Sequence, residues 1–155
     1  MGVDARELEG RPTGTGRYLR NLLAQWQRGP DRLVLYFNGP APLDPRLASP
    51  RVVVRPLGGR PVRGLLWQQR VLPAAARGDG LDVFFSPAYS CPLPLPVPRV
   101  TAVHDLSFFS LPQDFALLDG VRRRLLVAAS VRVSRSLVAC SAFTGREIAA
   151  RFPDA

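Results

Sequence analysis

Leu33-Val34-Leu35-Tyr36-Phe37 is an unbroken apolar run of five residues, closed by Asn38-Gly39-Pro40. A strand with one wet face alternates apolar and polar residues. A strand that is apolar throughout is buried on both faces, which is the situation of a parallel sheet covered by helices on both sides. Shorter segments of the same kind recur along the chain: Gly2-Val3-Asp4, Val52-Val53-Val54 before Pro56, residues 82–86 before Pro87, residues 98–103, and residues 136–140. Between them the periodicity changes. Leu19, Leu22, Leu23 and Trp26 fall at i, i+3, i+4, i+7, one face of a helix that Gly29-Pro30 stops. Residues 64–72 read as helical with Trp67 and Val71 on one side, and Pro73 suits the first turn of a new short helix.

Further on, Leu118, Val121, Leu125 and Ala128 form the next helical stripe, with Arg122, Arg123 and Arg124 mostly off it. Ser141 is placed to N-cap a last helix running to about Arg151. Residues 106–115, with three phenylalanines, read as a loop. Residues 91–98, with proline at every second position, read as an extended connector. Strands alternating with helices predict an α/β fold, Rossmann-like and doubly wound, with a mostly parallel sheet and helices on both faces. At 155 residues the expectation is one domain spanning 1–155.

The net charge of +9 at first suggests nucleic acid or an anionic surface. All 21 basic residues are arginine, however, and Ile148 is the only isoleucine, which is how a GC-rich coding sequence biases composition. No basic run alternates with aromatics, so a nucleic-acid partner is not expected. Anionic membrane or phosphorylated ligands remain the readings that the charge supports. Cys91 and Cys140 are far apart and there is one histidine, so neither a zinc site nor a redox motif is expected. The N-terminus lacks a signal-length apolar core, and the longest uncharged run contains five prolines.

Two places could carry chemistry. Gly14-Thr15-Gly16, opening a helix, could bring backbone N–H groups to a phosphate, or could be a plain turn. It is not a dinucleotide fingerprint, since Leu19 occupies the third glycine position. His104 and Asp105 stand at the tip of the strand 98–103. In open α/β sheets ligands bind outside the carboxyl ends of the strands, so this pair is a site candidate as well as a structural one. Adjacent residues project in different directions, so Asp105 is not expected to orient the ring of His104, and a triad with Ser141 is disfavoured. The Arg122–Arg124 run is either a solvated face or a docking patch for anionic lipid.

Taken in order, Asp4-Ala5-Arg6, residues 11–18, residues 82–87, Val103-His104-Asp105-Leu106, and Ala139-Cys140-Ser141 with Phe143-Thr144 and Glu147-Ile148 form a series. This series resembles the N-terminal domain of a family 4 glycosyltransferase, a retaining, nucleotide-sugar-dependent enzyme of the GT-B fold. The resemblance implies an acceptor-binding half. Gly14, Thr15 and Gly16 would face the donor diphosphate, and His104 and Asp105 the reacting centre. Arg17, Tyr18, Ser141 and Thr144 would line the acceptor side of the cleft. It implies a nucleotide-sugar donor, a glycan or lipid-linked acceptor, no metal and no cofactor. Retention would follow a front-face displacement in which the leaving phosphate takes the acceptor proton. It implies a donor-binding C-terminal domain that this chain does not contain, without which the chain would be inactive. The expected location is the cytoplasm, either free or peripheral at the inner face of the membrane. The competing expectation is a non-catalytic domain that binds a phosphorylated or glycosylated ligand or a partner chain.

Overall fold

The structure, a computed structural model, describes the chain except for residues 12, 43, 59–62, 111–112, 114–116 and 155. Six strands, β1 (Gly2–Asp4), β2 (Leu33–Phe37), β3 (Val52–Pro56), β4 (Phe84–Ser86), β5 (Arg99–Val103) and β6 (Ser136–Ala139), form one sheet in the order β3-β2-β1-β4-β5-β6. Every neighbouring pair is parallel. The chain starts in the middle, builds outward through β2 and β3, then returns to the other side of β1. The strand order therefore reverses between β1 and β4. The helices are α1 (Gly14–Trp26), α2 (Gly64–Leu66), α3 (Leu72–Ala76), α4 (Ser107–Ser110), α5 (Leu117–Val133) and α6 (Ala142–Arg151).

β2 shows why its sequence is apolar throughout. Successive side chains of a strand point to opposite faces. Leu33, Leu35 and Phe37 enter a core with Val3, Leu19, Leu23 and Phe85, beneath α1. Val34 and Tyr36 enter the opposite core with Trp67, Leu72, Ala76 and Phe84. All five are buried. Tyr36 keeps its hydroxyl satisfied by donating to Asp79 at 2.6 Å. A third cluster, of Val103, Leu106, Phe108, Val127, Val131, Ile148 and Phe152, packs around the β5–β6 side.

Three local expectations are corrected. Residues 64–76 are helical without a break, α2 passing through a π-helical turn, Trp67–Val71, into α3, whose first turn holds Pro73 as expected. The widened turn lies just before Pro73, whose ring and missing N–H do not fit a regular α-helical interior. The stretch after His104 is not all loop: Ser107–Ser110 forms α4, opened by Asp105 Oδ1, which accepts from the Ser107 backbone N–H at 3.0 Å and its hydroxyl at 2.6 Å. The buried face of α5 also differs from the one predicted. Val127, Ser130 and Val131 point inward, while Leu118 and Leu125 are 84% and 68% exposed. Ser130 fixes that phase, because its hydroxyl donates to Leu126 O at 2.7 Å and accepts from the Cys91 N–H at 3.0 Å. A polar residue in the core concealed the true stripe.

That phase is testable by truncation. Val127→Ala is expected to cost about 2 kcal/mol, from lost apolar burial plus the cavity left behind. Leu125→Ala is expected to stay within about 0.5 kcal/mol of the parent, as exposed substitutions do. Urea unfolding of the two variants measures both, and the reverse ranking would contradict the burial pattern.

Candidate functional site

The carboxyl ends of β1, β4, β5 and β6 open on one edge of the sheet, at the reversal of strand order where open α/β sheets bind ligands. Asp4, the last residue of β1, is buried and takes a two-point ion pair from Arg6, at 3.0 Å to Nε and 2.7 Å to the terminal nitrogen. The Arg6 guanidinium lies 4.5 Å from the centre of the Trp67 ring and also donates to Gly64 O at 3.0 Å. Its charge is thus held on three sides and matched by Asp4. Gln68 donates to Ser90 O at 3.0 Å and accepts from the Ser90 hydroxyl at 3.0 Å, tying the helical segment to the turn after β4. Above this floor is a cleft of about 370 Å³ lined by Glu7, Gln68, Tyr89, Ser90, Arg122 and Arg123, among others. Burial, reinforced by the negative charge of Asp4, pushes the Glu7 carboxyl up, against the pull of Arg6, Thr13 and His104.

His104 follows β5 directly. Its Nε2 lies 2.7 Å from Pro87 O, its Nδ1 lies 2.9 Å from Cys140 Sγ, and its carbonyl accepts from the Thr144 hydroxyl at 3.0 Å. The rings of Tyr18 and Tyr89 stand edge-on to the imidazole, at 5.3 and 5.5 Å between centres. The hydrogen bonds of Asp105 go to Tyr89 and Ser107. Besides opening α4, Asp105 accepts from the Tyr89 hydroxyl at 2.7 Å. Burial alone would raise its carboxyl, but the Ser107 and Tyr89 bonds outweigh that and hold it below the usual range, while Tyr89 is pushed up by burial and by Asp105. Tyr89 has φ +57°, a left-handed conformation uncommon for a bulky residue, and the strain falls at the lip of the cleft.

The glycine turn sits beside this group. Thr13 caps α1 by accepting from the Gly16 N–H at 2.9 Å. A side chain on Gly16 would lie 2.3 Å from Glu7 O, so this glycine exists for close backbone packing; a side chain on Gly14 would meet nothing within 4 Å. Thr15 is half-buried and Arg17 exposed, while Tyr18 turns back onto His104. Ser141 is the N-cap of α6, accepting from the Thr144 N–H at 3.0 Å, and Thr144 is 2% exposed, its hydroxyl committed to His104 O. The structure thus brings together His104, Tyr18, Thr144 and Ser141, with Asp105 joined through Tyr89, and sets Gly16 against Glu7, while Gly14 faces open space.

Sequence reasoning missed Glu7, Gln68, Tyr89, Ser90 and Cys140. Gln68-Gln69-Arg70, a polar run between Leu65-Leu66-Trp67 and Val71-Leu72, was the one visible signal. Among the described residues, no group of three His, Cys, Asp or Glu side chains is arranged to hold a metal ion.

The family model described as Glycosyltransferase Family 4 matches residues 12–155. No curated protein matches the chain.

Two predictions follow from the packing. Gly16→Ala is expected to cost about 1–3 kcal/mol by overpacking against Glu7 O. Gly14→Ala is expected to change stability by no more than about 0.5 kcal/mol; thermal unfolding of both compares them. The lowered carboxyl of Asp105 contributes stability that is fully present above the ordinary value of ~3.9 and lost as pH falls through the lower folded value. Ser107→Ala removes one of its donors and is expected to flatten that acid limb in melts taken across a pH series, whereas an unchanged limb would remove Asp105 from the cause.

Proposed function

The chain belongs to glycosyltransferase family 4, and from that premise we propose that it is the acceptor-side half of a retaining enzyme that moves a hexose from a nucleotide-sugar to a glycan or lipid-linked acceptor. The coarse statement, glycosyl transfer on a Rossmann-like domain, rests on the family match and the parallel sheet. The observation that carries the finer reading is the cleft lined by Glu7, Tyr89 and Ser90 at the reversal of strand order, with His104 behind its lip, edge-on to Tyr89 and bonded to Pro87 O, and with Gly16 of α1 packed on Glu7 O.

In this reading the acceptor lies in the cleft, its hydroxyls facing the carboxylate of Glu7 and the polar turn at Ser90. The nucleotide-sugar lies between Gly14-Thr15-Gly16 and a C-terminal donor-binding domain. As the glycosidic bond breaks, the sugar ring becomes positive and the diphosphate more negative. Fixed N–H dipoles at the start of α1 stabilise that negative charge without reorganising. His104 contacts the transferred sugar, and Asp105 holds the Tyr89 lip beside it. Arg17, Tyr18 and Ser141 shape the wall, and the buried Thr144 holds the His104 carbonyl behind it. The reading invokes no metal, no cofactor and no nucleic acid, places polysaccharide or glycolipid assembly in the cytoplasm, and has the leaving phosphate take the acceptor proton.

Peripheral contact with an anionic membrane has its own support. Leu118, Val121 and Leu125 are exposed on α5 at i, i+3, i+7, next to Arg122 and Arg123 at the cleft rim. An apolar stripe beside arginines suits the interface of an anionic bilayer, and would present a lipid-linked acceptor to the cleft. Among the described residues no helix is long and apolar enough to cross a membrane.

His104→Ala, made in a protein carrying both halves of the enzyme, is expected to lower transfer by about a hundredfold or more, beyond the roughly 1–3 kcal/mol of stability lost when the Pro87 carbonyl loses its donor, which the melting curve measures separately. Retained activity would favour a non-catalytic binding domain instead. Leu125→Asp is expected to reduce cosedimentation with anionic vesicles about tenfold, and added salt to reduce it further; binding insensitive to both would remove the membrane reading.

A further inference from the structure

His104 is held at both ring nitrogens. Nε2 lies 2.7 Å from the carbonyl of Pro87, and a carbonyl oxygen only accepts, so Nε2 carries the proton. Nδ1 lies 2.9 Å from Cys140 Sγ. An ordinary thiol titrates at ~8.5, and partial desolvation beside the imidazole pushes that of Cys140 up, so its proton stays on sulfur at neutral pH. An S–H facing an imidazole whose other nitrogen is already protonated has one role open to it, that of donor to Nδ1. The two partners differ in access: Pro87 is buried, whereas Cys140 is exposed.

We propose that, with Pro87 O holding His104 as its Nε2–H tautomer, Cys140 is a positioning residue that donates to the bare Nδ1, and that Nδ1 is the nitrogen His104 offers to a sugar hydroxyl, with the thiol occupying that place until the hydroxyl replaces it. The exchange substitutes one donor for another at the same lone pair. No proton leaves the ring, the tautomer is unchanged, and Pro87 keeps Nε2 throughout. His104 therefore serves the sugar as a fixed hydrogen-bond acceptor, and the edge-on rings of Tyr18 and Tyr89 keep the imidazole from rotating. The use of Nδ1 rests on the reading that His104 faces the transferred sugar. The tautomer and the role of Cys140 do not.

The chain has a single histidine, so its imidazole nitrogens give one pair of signals in a long-range proton–nitrogen correlation spectrum of the 15N-labelled protein. The expected pattern at neutral pH is a protonated Nε2 and a bare Nδ1 shifted by an accepted hydrogen bond. Cys140→Ser, which keeps a donor, should preserve it. Cys140→Val, which has none, should move the Nδ1 signal toward that of a nitrogen with no protein donor. Capping the exposed Cys140 of the folded wild-type protein with a small methanethiosulfonate should do the same, and keeps the test available should the valine variant fail to fold. A protonated Nδ1 in the wild type, or a Cys140-capped spectrum indistinguishable from the free one, would overturn the assignment. If the pattern is as expected but His104→Ala leaves transfer intact, the positioning role of Cys140 stands and the sugar-contacting role of His104 falls.

Discussion

The structure depends on a constraint at β1. This three-residue strand is hydrogen-bonded to β2 on one side and β4 on the other, and the chain leaves it in one direction and comes back in the other. Crossover connections in parallel sheets are right-handed, so reversing the direction of winding places the helices on opposite faces of the sheet. The two apolar clusters on either side of β2 are the packing consequence. The gap outside the ends of β1 and β4, where open α/β sheets bind ligands, is the topological one. Asp4 and Arg6 at that gap are occupied with each other and with Gln68 and Gly64, and Glu7, Tyr89, Ser90 and the rim arginines line the cleft around them.

Around the gap, polar side chains mostly hold other polar side chains in place. Asp105 is committed to Tyr89 and Ser107, Thr144 to the His104 carbonyl, and Gln68 to Ser90. Such mutual hydrogen bonding limits the rotamers open to these side chains. The strained Tyr89 backbone is held by its own N–H, which donates to Ala102 O at 2.8 Å, and by the hydroxyl bond to Asp105.

Much of this architecture was legible in the sequence because burial leaves a pattern. The apolar run of β2 demanded two covered faces, the segment 98–103 delivered His104 to a strand end, and Ser141 marked a helix start. The failures have physical causes too. Ser130 inside the core inverted the apparent stripe of α5, since its hydroxyl is satisfied locally and leaves no apolar signature. Asp105 and Ser107 opened a helix where phenylalanines suggested a loop. The pairing of Gly16 with Glu7 O, the left-handed backbone of Tyr89 and the Cys140–His104 contact join segments distant in sequence, and no periodicity encodes them.

The central claim is that the gap between β1 and β4, with the ends of β5 and β6 beside it, is where the sugar chemistry happens. The most direct measurement is a backbone-amide NMR titration of the chain with a panel of sugar nucleotides and free glycans. The account predicts shifts concentrated in residues 4–8, 13–18, 86–90 and 104–105. Shifts concentrated instead in the groove between β6 and α6, around Leu137, Ile148 and Phe152, would contradict it.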